Sequence, residues 1–78
     1  MYGFDAYIYR KKSFKTDAQW ELFRTKFLEL VNSIEYRELT DACYTVNEDS
    51  VYIDIPNQGF YFCRDLMNIL KEAGYETN

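Results

Sequence analysis

The hydrophobic pattern of this chain predicts an α+β fold in the order β-α-β-β-α, a three-stranded sheet with two helices on one face. Three observations lead there. An N-terminal run, residues 2–10, alternates apolar and polar positions with period two. Two longer stretches, about residues 17–33 and 60–73, repeat apolar residues at the three- and four-residue spacing of a helix. Between them lie two β-rich runs joined by four polar turn formers, the pattern of a hairpin. Two amphipathic helices need a shared apolar surface, and one face of a small sheet supplies it.

In the first strand Phe4, Ala6 and Ile8 share one face, while Asp5, Tyr7 and Tyr9 share the other. A short basic connection follows, Arg10-Lys11-Lys12-Ser13-Phe14-Lys15. Thr16-Asp17-Ala18-Gln19 fits a capping box, with Thr16 as the N-cap and Gln19 three residues on. Asp17 and Glu21 put negative charge in the first turn, where the helix dipole favours it. Trp20, Phe23, Phe27, Leu30, Val31 and Ile34 then mark one helical stripe. Residues 35–41 are polar and read either as a helix extension or as a loop with Tyr36 and Leu39 tucked beneath it. The hairpin runs from 42–46 through Asn47-Glu48-Asp49-Ser50 to 51–55, where Val51, Ile53 and Ile55 oppose Tyr52 and Asp54. Pro56-Asn57-Gln58-Gly59 punctuates the chain. The last helix carries Cys63, Leu66, Met67, Leu70 and Ala73 at helical spacing. It ends at Gly74, a C′ residue for which Tyr75 supplies the apolar contact.

This order of elements resembles a ferredoxin-like β-α-β-β-α-β fold that lacks its last strand, for which Glu76-Thr77-Asn78 is too short. A right-handed crossover through the first helix would set strand one parallel to strand three. With the last strand absent, strand one becomes an edge, and an unpaired edge is a template for pairing with another chain.

The 78 residues, 47% hydrophobic and 19% aromatic, describe one domain spanning residues 1–78. One proline and three glycines beside so many rings exclude a disordered chain. No apolar run approaches the ~18–20 residues that cross a bilayer, and the N-terminus lacks the pattern of a signal peptide. With only two cysteines, a cytoplasmic, reduced protein with both thiols in the core is expected; the alternative is a single Cys43–Cys63 disulfide.

Catalytic parts are scarce. There is no histidine, neither cysteine lies in a CxxC pair, and Gly3, Gly59 and Gly74 are too far apart to cradle a phosphate. Carboxylates are numerous, but a domain of this size has little room for two of them to face across a cleft. Asn47-Glu48-Asp49-Ser50 lacks the pattern of a calcium loop. The expectation is a non-enzyme without metal or cofactor.

Two surface features point to function. Alternation leaves Asp5, Tyr7, Tyr9, Tyr52 and Asp54 on the sheet face away from the helices, joined by Thr45 with Cys43, or by Tyr44, depending on register. The second feature is polarity of charge: the net charge of −4 divides into +3 over residues 1–15, −1 over residues 16–34 and −6 over residues 35–78. A small acidic protein-binding module follows. Its partner would be a larger protein with a basic surface, met through Tyr7, Tyr9, Tyr52 and Asp54 and the carboxylates Glu35, Glu38, Asp41, Glu48 and Asp49. Self-association through the strand-one edge belongs to the same class. In size and acidity the chain resembles the small inhibitors that phages and mobile elements carry against host defence nucleases. That resemblance implies occupation of a basic, nucleic-acid-binding groove.

The alternative is a single-stranded nucleic-acid binder. Tyr7, Tyr9 and Tyr52 would stack bases, and Arg10, Lys11, Lys12 and Lys15 would contact phosphates. A sequence pI near 4.6 and the absence of the RRM signature run disfavour it.

Overall fold

The computed structural model describes residues 4–33, 36, 44–55 and 59–75. Strand β1 spans Phe4–Tyr9, a four-residue helix α1 follows at Arg10–Ser13, and helix α2 spans Asp17–Val31. Strands β2 (Tyr44–Val46) and β3 (Ser50–Ile55) form the hairpin, and helix α3 spans Gly59–Glu72. The class is α+β, a three-stranded antiparallel sheet plus helices. The predicted residues Glu35, Glu38, Asp41 and Cys43, the end of the first helical stripe at Ile34, and Leu39 lie outside the described residues.

Strand β3 occupies the centre of the sheet, in the order β1-β3-β2, and runs antiparallel to both neighbours. The expected parallel pairing of strands one and three is therefore corrected. The crossover from β1 through α2 leads to β2, not β3. It leaves β1 and β2 pointing the same way with a strand's width between them. The tight hairpin then returns β3 into that gap in the opposite direction.

Alternation along the strands decides what the helices cover. Val51, Ile53 and Ile55 of β3 and Ile8 of β1 are buried, in one cluster with Trp20, Phe23, Phe27 and Val31 of α2 and Phe62, Leu66 and Leu70 of α3. Phe14 sits at the junction, its ring centroid 5.4–5.9 Å from those of Phe23, Trp20 and Tyr75. The aromatic series continues from Phe23 to Phe27 at 5.8 Å and edge-on to Tyr44 at 5.6 Å. Rings fill a small core efficiently, because each removes a large apolar area from water, worth about 1.5–3 kcal/mol for a fully buried side chain.

Three local expectations change. The basic connection holds the helical turn α1, and its C-cap Phe14 is buried beside Ser13. The turn reverses the chain just enough to swing Phe14 into the core. In α3 the buried stripe is Phe62, Leu66, Leu70 and Ala73, whereas Cys63 is only half-buried and Met67 is exposed. Adjacent helical positions differ by about 100° around the axis, and burying Phe62 removes far more apolar surface than burying Cys63. Cys63 carries a free thiol, so the alternative disulfide is not formed.

The caps follow the sequence. Thr16 Oγ1 accepts from the Gln19 N–H at 3.2 Å, and Gln19 Oε1 accepts from the N–H groups of Thr16 and Lys15 at 3.3 and 2.9 Å. At the end of α3, Gly74 has φ +92°. The Tyr75 N–H reaches the Leu70 carbonyl at 2.9 Å and the Gly74 N–H reaches Lys71 at 3.1 Å, a Schellman motif. Two polar ties lock the loops to this frame. The Trp20 indole N–H donates to the Glu48 carbonyl at 3.1 Å, pinning the hairpin turn to α2. The hydroxyl of buried Tyr36 bonds the Asp65 carboxylate of α3, with the Tyr36 ring edge-on to Phe62.

Candidate interaction surface

Because both long helices pack on one side, the other side of the sheet is left to the alternate residues. Asp5, Tyr7 and Tyr9 of β1, Ser50, Tyr52 and Asp54 of β3, and Thr45 of β2 point that way. Register brings them together in rows: Asp5 faces Asp54, Tyr7 faces Tyr52, Tyr9 faces Ser50, and Thr45 lies on the far side of Tyr52. The open register of strand two is thereby resolved, with Thr45 outward and Tyr44 against the core.

The centre of this face is aromatic. Tyr7 and Tyr52 have ring centroids 4.5 Å apart, and Tyr7 stacks along the strand on Tyr9 at 6.0 Å. Tyr7 is 62% and Tyr9 44% exposed, so these rings hold one another without being covered. Tyr52, between neighbours on both strands, is half-buried. That partial burial raises its phenol above the ordinary value, and Asp54, Tyr7 and Asp5 push in the same direction.

The two ends of the face carry opposite charge. At one end Asp5 and Asp54 are directly opposed, an arrangement that destabilises a sheet by like-charge repulsion. At the other, the Lys12 ammonium lies 5.5 Å from the centroid of the Tyr9 ring, a cation–π contact. Tyr9, Lys11, Lys12 and Asp49 line an open groove of about 250 Å³ there.

Arg10 has a different role from the one the sequence suggested. Its guanidinium bonds Asp17 at 2.5 and 3.2 Å and Asp49 at 3.3 Å, tying α1 to the start of α2 and to the hairpin turn. The hydrogen bond to Asp17 raises its pKa above the ordinary arginine value, opposed by partial desolvation and reinforced by Asp49. Arg10 is thus a structural clamp, and Asp49 is its counter-ion. Glu48 is exposed beside it, its backbone carbonyl taken by Trp20. Lys11, Lys12 and Lys15 are exposed.

The chain matches no protein-family model, no curated protein and no solved structure. The surface must therefore be read from its own chemistry. Among the described residues no cluster of His, Cys, Asp and Glu could hold a metal ion, and no helix is long and apolar enough to cross a membrane.

A second exposed aromatic group escaped the sequence reading. Phe60 and Tyr61, in the first turn of α3, are 68% and 59% exposed and meet edge-on at 5.4 Å, with the Arg64 guanidinium 5.2 Å from the Tyr61 centroid. The signal was present. Once the stripe is phased on Phe62 rather than Cys63, Phe60 and Tyr61 fall off the buried side.

Proposed function

We propose that this domain is a non-enzymatic protein-binding module whose working surface is the open sheet face, directed at a basic surface on a larger protein. The observation that carries the reading is the row of contacting tyrosines ending in the opposed carboxylates Asp5 and Asp54. Exposed tyrosines offer contact area at low entropic cost. A pair of opposed carboxylates beside them, with no counter-ion among the described residues, favours a partner that brings lysine or arginine, because binding then removes a repulsion as well as adding an attraction. Glu48 extends the acidic surface, and Glu35, Glu38 and Asp41 add charge in the chain's acidic second half. Asp49 contributes less, because Arg10 already neutralises it.

Several finer readings belong with this proposal. The strand order β1-β3-β2 with two packed helices supports a ferredoxin-like arrangement without its last strand. The acidity and size support an inhibitor of the phage type that fills a nucleic-acid-binding groove of a cytoplasmic host protein. The Lys12–Tyr9 contact beside an open groove favours the second reading, single-stranded nucleic acid, with Lys11 and Lys15 as further phosphate contacts. Asp5 and Asp54 at the far end of the stacking rings, and the engagement of Arg10, weigh against it.

The test is a paired experiment. Proteins retained from a lysate by the wild-type domain are compared with those retained by Tyr52→Ala/Asp54→Lys, with Phe60→Ala as a control for the second patch. A basic protein lost with the first variant and kept with the control supports the module. Binding of mixed-sequence single-stranded DNA or RNA that weakens with salt and vanishes in Tyr7→Ala/Lys11→Ala overturns it in favour of the nucleic-acid reading.

A further inference from the structure

The sheet has two edges, and they differ. Strand β2 contributes three residues to its edge, whereas β1 contributes six, paired with β3 one-for-one and without a bulge. Edge strands are usually protected by shortness, proline, lysine or a bulge. β1 has none of these, and among the described residues no strand pairs with its outer side.

Two hydrogen bonds fix which backbone groups line that edge. The Arg10 N–H donates to the Asp49 carbonyl at 3.0 Å, and the Asn47 N–H to the Ser50 carbonyl at 2.8 Å. In an antiparallel ladder, alternate residues direct both their N–H and C=O to the same neighbour. Ser50, Tyr52 and Asp54 therefore direct their backbone groups to the β2 side, while Val51, Ile53 and Ile55 bond Ile8, Ala6 and Phe4. The N–H and C=O groups of Asp5 and Tyr7 and the N–H of Tyr9 point outward with no strand partner among the described residues, while the carbonyl of Tyr9, the N-cap of α1, accepts the first bond of that helix. The residues whose side chains form the exposed face are the same ones whose backbones form the open edge.

We propose that a second copy of this chain pairs with this edge, antiparallel and centred on Tyr7, joining two sheets into one. A twofold axis through the edge makes the contact self-complementary and requires antiparallel strands. The register that uses all three outward residues places Tyr7 opposite Tyr7 of the second copy, and Asp5 opposite Tyr9 of the second copy.

Charge selects the same register. Lys12 lies over Tyr9, so the pairing of Tyr9 with Asp5 of the second copy brings that ammonium to the Asp5/Asp54 carboxylates. It does so twice, by symmetry, and relieves the like-charge pair that each sheet carries alone. The Tyr7–Tyr52 contact extends into a row of four rings across the junction. This pairing shares the side chains of Asp5, Tyr7, Tyr52 and Asp54 with the partner reading and adds the β1 backbone and Lys12, so N-methylation at Tyr7, which alters no side chain, separates the two.

The experiment is sedimentation velocity over a rising concentration series, with the intact chain carrying a backbone N-methyl group at Tyr7, introduced by chemical synthesis. That change removes one outward donor and no bond to β3. The wild-type mass should double as concentration rises, and N-methylation should raise the dissociation constant at least about tenfold. Asp5→Lys and Lys12→Glu should each weaken the dimer, and the two together should restore it. Tyr7 and Tyr9 amides should gain exchange protection only in the dimer. If the N-methyl chain does not fold, the charge pair decides alone. A chain that stays monomeric up to millimolar concentration overturns the proposal. So does a dimer indifferent to N-methylation, or one that the combined charge variant does not restore.

Discussion

The two sides of β3 differ more than any other two regions of this molecule, although their residues alternate along one strand. Val51, Ile53 and Ile55 have no exposed surface at all, whereas Ser50, Tyr52 and Asp54 stand on the open face. The inner side shows every sign of being tuned for stability: rings in contact, satisfied caps and a buried indole with its acceptor. The outer side contains features that stability alone disfavours, namely exposed rings at its centre and opposed carboxylates at one end. A small domain has little free energy to spare. The proposed binding function accounts for a surface that forgoes some.

That contrast can be broken at its strongest point first. Phe27→Ala should cost about 3–5 kcal/mol by leaving a cavity under α2, and unfold much of the population at physiological temperature. Tyr7→Ala, an equally drastic truncation on the other face, should change the denaturant midpoint by less than about 1 kcal/mol. Equal losses from the two variants would mean that the outer face is core in disguise.

Next in size is the C-cap of α3. Gly74→Ala should cost about 1–2 kcal/mol, because a side chain at φ +92° is strained. The new Cβ would also lie 2.5 Å from Gln19 Nε2, disturbing the capping box of α2. A melting temperature unchanged from wild type would show that the two helix ends are not coupled in this way.

On the outer face the sign should reverse. Asp54→Asn removes the repulsion facing Asp5 and should stabilise the fold by about 0.2–1 kcal/mol, visible as a raised urea midpoint. A destabilised variant would show that the carboxylate pair has a structural role after all.

The smallest effect concerns pH. The Tyr52 phenol is raised in the folded state, so the native protein holds this proton more tightly than the unfolded chain does. Its contribution is complete below the ordinary tyrosine value of about 10 and is lost as pH rises through the higher folded value. Tyr52→Phe should therefore flatten the alkaline end of a stability-against-pH curve measured by denaturant titration. A wild-type curve that is already flat there would contradict the assignment.

Much of the fold and part of the surface were legible because they depend on local periodicity. Thr16 and Gln19 announce a helix start, Gly74 and Tyr75 a helix end, and the alternation of β1 and β3 sorts their residues onto two faces without reference to anything distant. The exposed tyrosines Tyr7 and Tyr9 were placed correctly for the same reason. The parallel pairing of strands one and three failed because alternation says nothing of which strand fills the gap between β1 and β2.

What the sequence determined by itself, then, was the kind of each long element and the inward or outward sense of the residues in β1, α2 and β3, since both follow from spacings of two, three or four along the chain. Tertiary structure alone decided the rest. It chose antiparallel pairing around β3, rotated α3 onto Phe62 instead of Cys63, and drew Arg10 out of the basic cluster to clamp Asp17 and Asp49. It also set Asp5 against Asp54, residues far apart in sequence, and left the outer side of β1 with no strand partner among the described residues. These outcomes depend on competition among contacts distant in the chain, where the largest buried area and the best-placed counter-ion prevail.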